Sequence, residues 1–175
     1  MKRIMAFILL IMTFLLTNLP ATASDQEIKT LPWSPEQMRE YASKLDYVSY
    51  HRVGTEKDKK VDDAYSFIVE EVDQVGVRSS IQIDPSPATL FFGGVGGGFK
   101  DQISPFFPVM RPKVEILRKE KIKVPAGEFD CVVVFMKDIF GEAPQTAWMI
   151  IDQPGIYAKL EVQGMKYELL EIKKK

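Results

Sequence analysis

Residues 146–173 read TAWMIIDQPGIYAKLEVQGMKYELLEIK, three runs of aromatic, aliphatic and β-branched residues broken at Pro154-Gly155 and at Gly164-Met165. Short runs of this kind with turn residues between them predict strands joined by tight turns, an antiparallel meander. In the middle run Ile156, Ala158, Leu160 and Val162 alternate with Tyr157, Lys159 and Glu161, giving one dry face and one largely wet face. Upstream, Lys113 to Val124 forms a long strand, Pro125-Ala126-Gly127-Glu128 a turn, and Phe129 to Lys137 the return. The stretches 131–136 (CVVVFM) and 147–151 (AWMII) are apolar on both faces, so these central strands need cover on each side. A second layer of curled sheet, the Gly-rich loop folded over them, or an apolar ligand would supply it.

Toward the N-terminus the strand pattern continues through Tyr47–Val53, Ala64–Val72 and Val77–Ile83, with the charged segment Thr55 to Lys60 as a turn and Asp84-Pro85-Ser86-Pro87 as a stop. Before them, Ser34-Pro35-Glu36-Gln37 carries a helix N-cap, a first-turn proline and the glutamine of a capping box. It predicts a helix from Pro35 to Lys44 that lays Met38, Tyr41, Ala42 and Leu45 on a sheet. Leu90 to Phe99 (LFFGGVGGGF) and the prolines at 105, 108 and 112 predict a long loop. Loops of that length in compact domains tend to carry function or disorder. The fold class expected is mainly β (α+β): a curved antiparallel sheet or half-barrel with one short N-terminal helix packed on it.

The run Val124-Pro125-Ala126-Gly127-Glu128-Phe129, the Trp148 strand, the Gly155-Ile156-Tyr157-Ala158-Lys159 strand and the closing Tyr167-Glu168-Leu169 resemble a pattern in uncharacterised bacterial envelope proteins. There a V-P-A-G-x-F hairpin precedes a tryptophan-bearing strand and two more. That arrangement is similar to the curved half-barrel sheet of the LolA and LolB lipoprotein carriers. The resemblance covers the C-terminal part only. It implies an unclosed sheet wrapped on a helix, with a concave face able to hold acyl chains, and it assigns no lipoprotein-binding residue in this chain.

The 175 residues are 46% hydrophobic and 27% charged, with 11 Gly, 11 Pro and one Cys, which excludes a collagen repeat, a disulfide scaffold and long disorder. Lys2 and Arg3, the apolar run Ile4 to Leu16 and the small triplet Ala21-Thr22-Ala23 predict a signal peptide over residues 1–23, cleaved before Ser24. Residues 24–175 are then a single β-rich domain, periplasmic or secreted, with no stable membrane span after cleavage. Losing Lys2 and Arg3 takes 23 basic side chains to 21 against 24 acidic ones, a net charge of −3. That balance offers nucleic acid no attraction. Cys131, without a partner in the chain, is expected as a buried small hydrophobe.

Candidate chemistry is sparse. His51 is the single histidine and lacks a Gly-x-Ser-x-Gly serine to serve, so a structural hydrogen bond is its expected role. No close cysteine, histidine or carboxylate spacing suggests a metal, and no cofactor is expected. Gly93 and Gly98 have the outer spacing of a phosphate loop, but Lys100 falls one place late and Asp101 stands where a hydroxyl belongs. Asp62-Asp63 and Glu70-Glu71 are strand neighbours pointing to opposite faces, not dyads. The glycine cluster instead combines mobility with apolar area, as a flap over an apolar cavity would. Two functions follow. The first is a non-enzymatic periplasmic protein binding an apolar or amphipathic, lipid-like ligand in the concave face, through Phe91, Phe92, Phe99, Phe106 and Trp148. The second is an envelope protein-protein interaction module with a filled core.

Overall fold

Ser34 decides where the helix begins. Its hydroxyl accepts a hydrogen bond from Gln37 N at 3.2 Å, and Gln37 Oε1 accepts from Ser34 N at 2.7 Å, closing the capping box ahead of Pro35. The resulting helix, α1 (Pro35–Ser43), buries Met38 and Ala42 and leads into the first strand. A computed structural model describes residues 30–85, 89–92 (backbone only), 99, 103–107, 109, 112–137 and 143–175. The expected signal peptide, residues 1–23, and the glycine cluster, residues 93–98, lie outside the described residues.

Among the described residues nine strands follow: β1 (Leu45–Glu56), β2 (Lys59–Val72), β3 (Val77–Asp84), β4 (Thr89–Phe92), β5 (Lys113–Val124), β6 (Gly127–Lys137), β7 (Gln145–Ile150), β8 (Tyr157–Val162) and β9 (Met165–Lys174). They pair antiparallel in one sheet of order β4-β3-β2-β1-β9-β8-β7-β6-β5. Two meanders, β1–β4 and β5–β9, are thus sewn together along β1 and β9. The mainly β class, the antiparallel meander and, among the described residues, the one short helix are as the residue pattern predicts.

Two elements differ from that pattern. Segment 55–60 is mostly strand: Thr55 pairs with Lys60 and Glu56 with Lys59, so only Lys57 and Asp58 turn, at φ 48° and 66°. Positive φ at both central residues matches the right-handed twist of a two-residue hairpin, and charge alone does not signal it. Thr89–Phe92, expected within the long loop, is an edge strand in which Phe91 pairs with Ser80 and Phe92 with Ser79. Main-chain pairing to β3 suffices to order four residues despite the glycines that follow.

The sheet coils but stays open, with edge strands β4 and β5 unpaired to each other. The β5–β6 turn reaches past the β7–β8 connection, where Ala126 N donates to Leu169 O of β9 at 3.0 Å and Ile151 N to Asp130 O at 3.0 Å. The V-P-A-G-x-F run therefore pins the end of the sheet: Val124 is buried, and Ala126 and Phe129 pack against the core from the turn.

Candidate functional site

The concave face is lined by aromatic rings from strands that are distant in sequence. Tyr50 of β1 lies edge-on to Phe67 of β2 (6.3 Å between centroids), Phe67 to Tyr65 (5.1 Å), and Tyr65 to Tyr167 of β9 (5.9 Å). Trp33 closes one end, stacked on Tyr157 of β8 at 6.0 Å, its Nε1 donating to Ile150 O at 2.8 Å.

Residues 103–107, here called the strap, lie in this face. Phe106 is 2% exposed and sits 5.4 Å from Phe67. Phe107 stands between the two meanders, 5.0 Å from Tyr50, 5.2 Å from Phe67, 5.3 Å from Tyr167 and stacked 5.8 Å from Tyr157. Ser104 is fully buried: its hydroxyl donates to Gly155 O at 2.9 Å and accepts from Phe106 N at 3.2 Å and Phe107 N at 3.4 Å. Nearby, Phe99 is buried and its N donates to Val75 O at 3.1 Å. The strap thus covers the rings of β1, β2, β8 and β9 on this face.

Of the sequence-predicted ligand residues, Phe106 belongs to this cluster and Phe99 is a buried part of the same core. The side chains of Phe91 and Phe92 lie outside the described residues. Trp148 does not join them. The register Val133–Trp148–Lys159–Glu168–His51 crosses β6, β7, β8, β9 and β1 on one face, and His51 is the chain neighbour of Tyr50. Adjacent strand residues point to opposite faces, so Trp148 projects from the convex side. There Lys159 lies 4.3 Å above its ring and is paired with Glu161 at 2.6 Å. The lysine stem and charge cover an indole that the sequence pattern places in a binding face.

Tyr50, Tyr65, Tyr157 and Tyr167 escape a reading of the sequence because tyrosine in a strand is ordinary pattern; only the register brings them together. At the mouth of the face Arg52 forms a two-pronged pair with Asp63 (Nε–Oδ1 2.9 Å, Nη2–Oδ2 2.7 Å) and lies 5.1 Å over the Tyr65 ring. Asp62, the other carboxylate of that doublet, turns to the opposite face and meets His51 Nε2 at 2.7 Å, the structural hydrogen bond expected of that histidine. Glu70 and Glu71 both reach Arg78, at 3.6 and 2.5 Å, because a register shift between Val69 and Glu71 brings the neighbours together. Among the described residues no group of three or more His, Cys, Asp or Glu could hold a metal ion.

The interior titrates only at high pH. Burial pushes the Cys131 thiol up to about 12, with Asp130 and Glu120 adding to it, and pushes Tyr65 up to about 12. Burial also carries Tyr50 and Tyr157 well above the ordinary phenol value. A group whose folded pKa is raised stabilises the fold fully below its unfolded pKa and stops doing so as pH climbs toward the folded value. Stability is therefore flat to about pH 8, falls first as the unfolded-state Cys131 thiol ionises, and falls more steeply above about pH 10 as the unfolded-state phenols do. Denaturant midpoints between pH 8 and 11 check this, and a flat profile to pH 11 would contradict the buried phenols.

Compared with protein-family models and with curated proteins, the chain gives no match.

Proposed function

We propose that this chain is a non-enzymatic periplasmic or secreted binding protein whose concave face takes an apolar or amphipathic, lipid-like ligand, with the strap occupying that place in the ligand-free chain. The observation that carries the reading is how the strap is held. Phe106 and Phe107 contribute apolar contact, and a side-chain hydroxyl, Ser104 Oγ, ties the segment to the sheet at Gly155 O. Apolar contact is non-directional, so a ligand of the same chemistry can replace it at little net cost. The Arg52–Asp63 pair beside Tyr65 and Tyr167 gives the mouth of the face a polar rim, the arrangement an amphipathic molecule meets best.

Native mass spectrometry of Ser24–Lys175 purified gently from a bacterial periplasm, with organic extraction, tests the reading. The expected result is a stoichiometric lipid-like mass released on denaturation. The filled concave face also suits an envelope protein-protein interaction module. A chain that stays at its bare mass after incubation with vesicles of envelope lipids is the outcome for that module.

A further inference from the structure

Tyr50 and Tyr157 are both fully buried, and neither hydroxyl has a hydrogen-bond partner among the described residues. The Tyr157 main chain faces the Tyr50 hydroxyl and the Ser104 hydroxyl faces that of Tyr157, each on the donor side of the phenol oxygen and outside hydrogen-bond geometry, and the Ser104 proton already goes to Gly155 O, so neither phenol O–H is taken up. Buried hydroxyls are nearly always paired, because an unpaired one gives up its hydrogen bonds to water and gains none in return. Trp148 Nε1 and Gln153 Oε1 are unpaired as well, but the two phenol hydroxyls differ in belonging to one cluster, with the single ring of Phe107 against both.

We infer that the buried part of the ligand carries a hydrogen-bond acceptor, an ester or related carbonyl on an apolar chain, received by the hydroxyls of Tyr50 and Tyr157 once Phe107 gives way. This rests on the binding function proposed above. Phenols suit this role chemically, since they are amphipathic, their rings line an apolar wall, and burial keeps them protonated and therefore donors. A hydrocarbon in the same seat leaves both hydroxyls unpaired, whereas a carbonyl oxygen has two lone pairs to offer them. The selectivity is thus for an oxygen inside the apolar region, a different property from the headgroup contacts that the Arg52–Asp63 rim could make.

The test is a pair of titrations on the intact protein, one with methyl laurate and one with an n-alkane of the same length, followed by the fluorescence of Trp33, which stacks on Tyr157. Tyr50→Phe and Tyr157→Phe remove one hydroxyl each and leave the rings. The wild type is expected to bind the ester at least about tenfold more tightly than the alkane. Each variant should lose three- to tenfold, roughly, in ester affinity while binding the alkane as before and melting no lower than the wild type, since an unpaired buried group has been removed. Equal ester and alkane affinities in the wild type, or a parallel loss of both in the variants, overturn the carbonyl assignment while leaving an apolar site in place. Binding of neither probe overturns the assignment and the binding function together.

Discussion

Phe106→Ala is expected to cost about 4 kcal/mol of folding stability, within the range of about 3–5 kcal/mol seen when a large buried aromatic is truncated. The side chain is 2% exposed and packs 5.4 Å from Phe67, which itself touches Tyr50, Tyr65 and Phe107. The void therefore opens at the centre of the concave face, where four strands bring rings together and none can move inward without leaving another. Urea unfolding at constant m-value measures the loss. A change under about 1 kcal/mol would mean that the strap does not fill this face in solution. On the binding function proposed here the vacated volume takes up an apolar dye; in a filled-core interaction module the variant is destabilised without gaining a dye site.

The second large effect is expected at Gly155→Ala. Gly155 has φ +92°, and a Cβ there would lie 2.9 Å from Pro105 Cδ and 3.3 Å from Pro105 Cγ. Backbone strain of about 1–3 kcal/mol adds to an overpacking cost of similar size, so a loss of about 3 kcal/mol is expected. The clash is with a ring of the strap, one residue from the Ser104 hydroxyl that bonds the Gly155 carbonyl. Gly164→Ala separates the two contributions, since φ there is +79° but no atom lies within 4 Å of the new Cβ. That variant should lose only the backbone part, about 1 kcal/mol. Equal losses at the two positions, measured side by side by denaturation, would show that the strap yields freely at Pro105.

Most of the sheet is legible in the sequence because turns and alternation are local. Pro125-Ala126 and Pro154-Gly155 mark reversals that the fold makes, Gly164-Met165 marks a third one residue late, since Gln163 and Gly164 turn and Met165 already pairs with Val162, and Ser34-Pro35-Glu36-Gln37 marks the helix start. What escapes depends on register. Trp148 looks like a ligand residue because Ala147, Trp148 and Met149 are all apolar, so alternation does not say which of them faces inward. The pairing of Trp148 with Lys159 and of His51 with Glu168 decides it. The tyrosines of the concave face are invisible for the same reason: Tyr50 and Tyr157 are separated by more than half the chain and come together only because β9 joins β1 to β8. Phe106 can be found because large apolar residues near a glycine cluster need somewhere to go, and for Phe99, Phe106 and Phe107 the core of the sheet provides the place.

The seam between β1 and β9 has a kinetic consequence. Within each meander every strand pairs with a neighbour in sequence, so both arrays can grow from their turns with short loop closures. The seam is different, because it brings Leu45 opposite Lys174 and Val53 opposite Lys166, and the intervening chain must already be gathered in. The strap belongs to the segment joining the arrays, and its seat is made of rings from both: Tyr50 and Phe67 from one, Tyr157 and Tyr167 from the other. Until the two halves have docked there is no seat for Phe107. The interior that would hold a ligand is thus the last part of the molecule to come into existence as it folds, and the first to be lost when the halves separate.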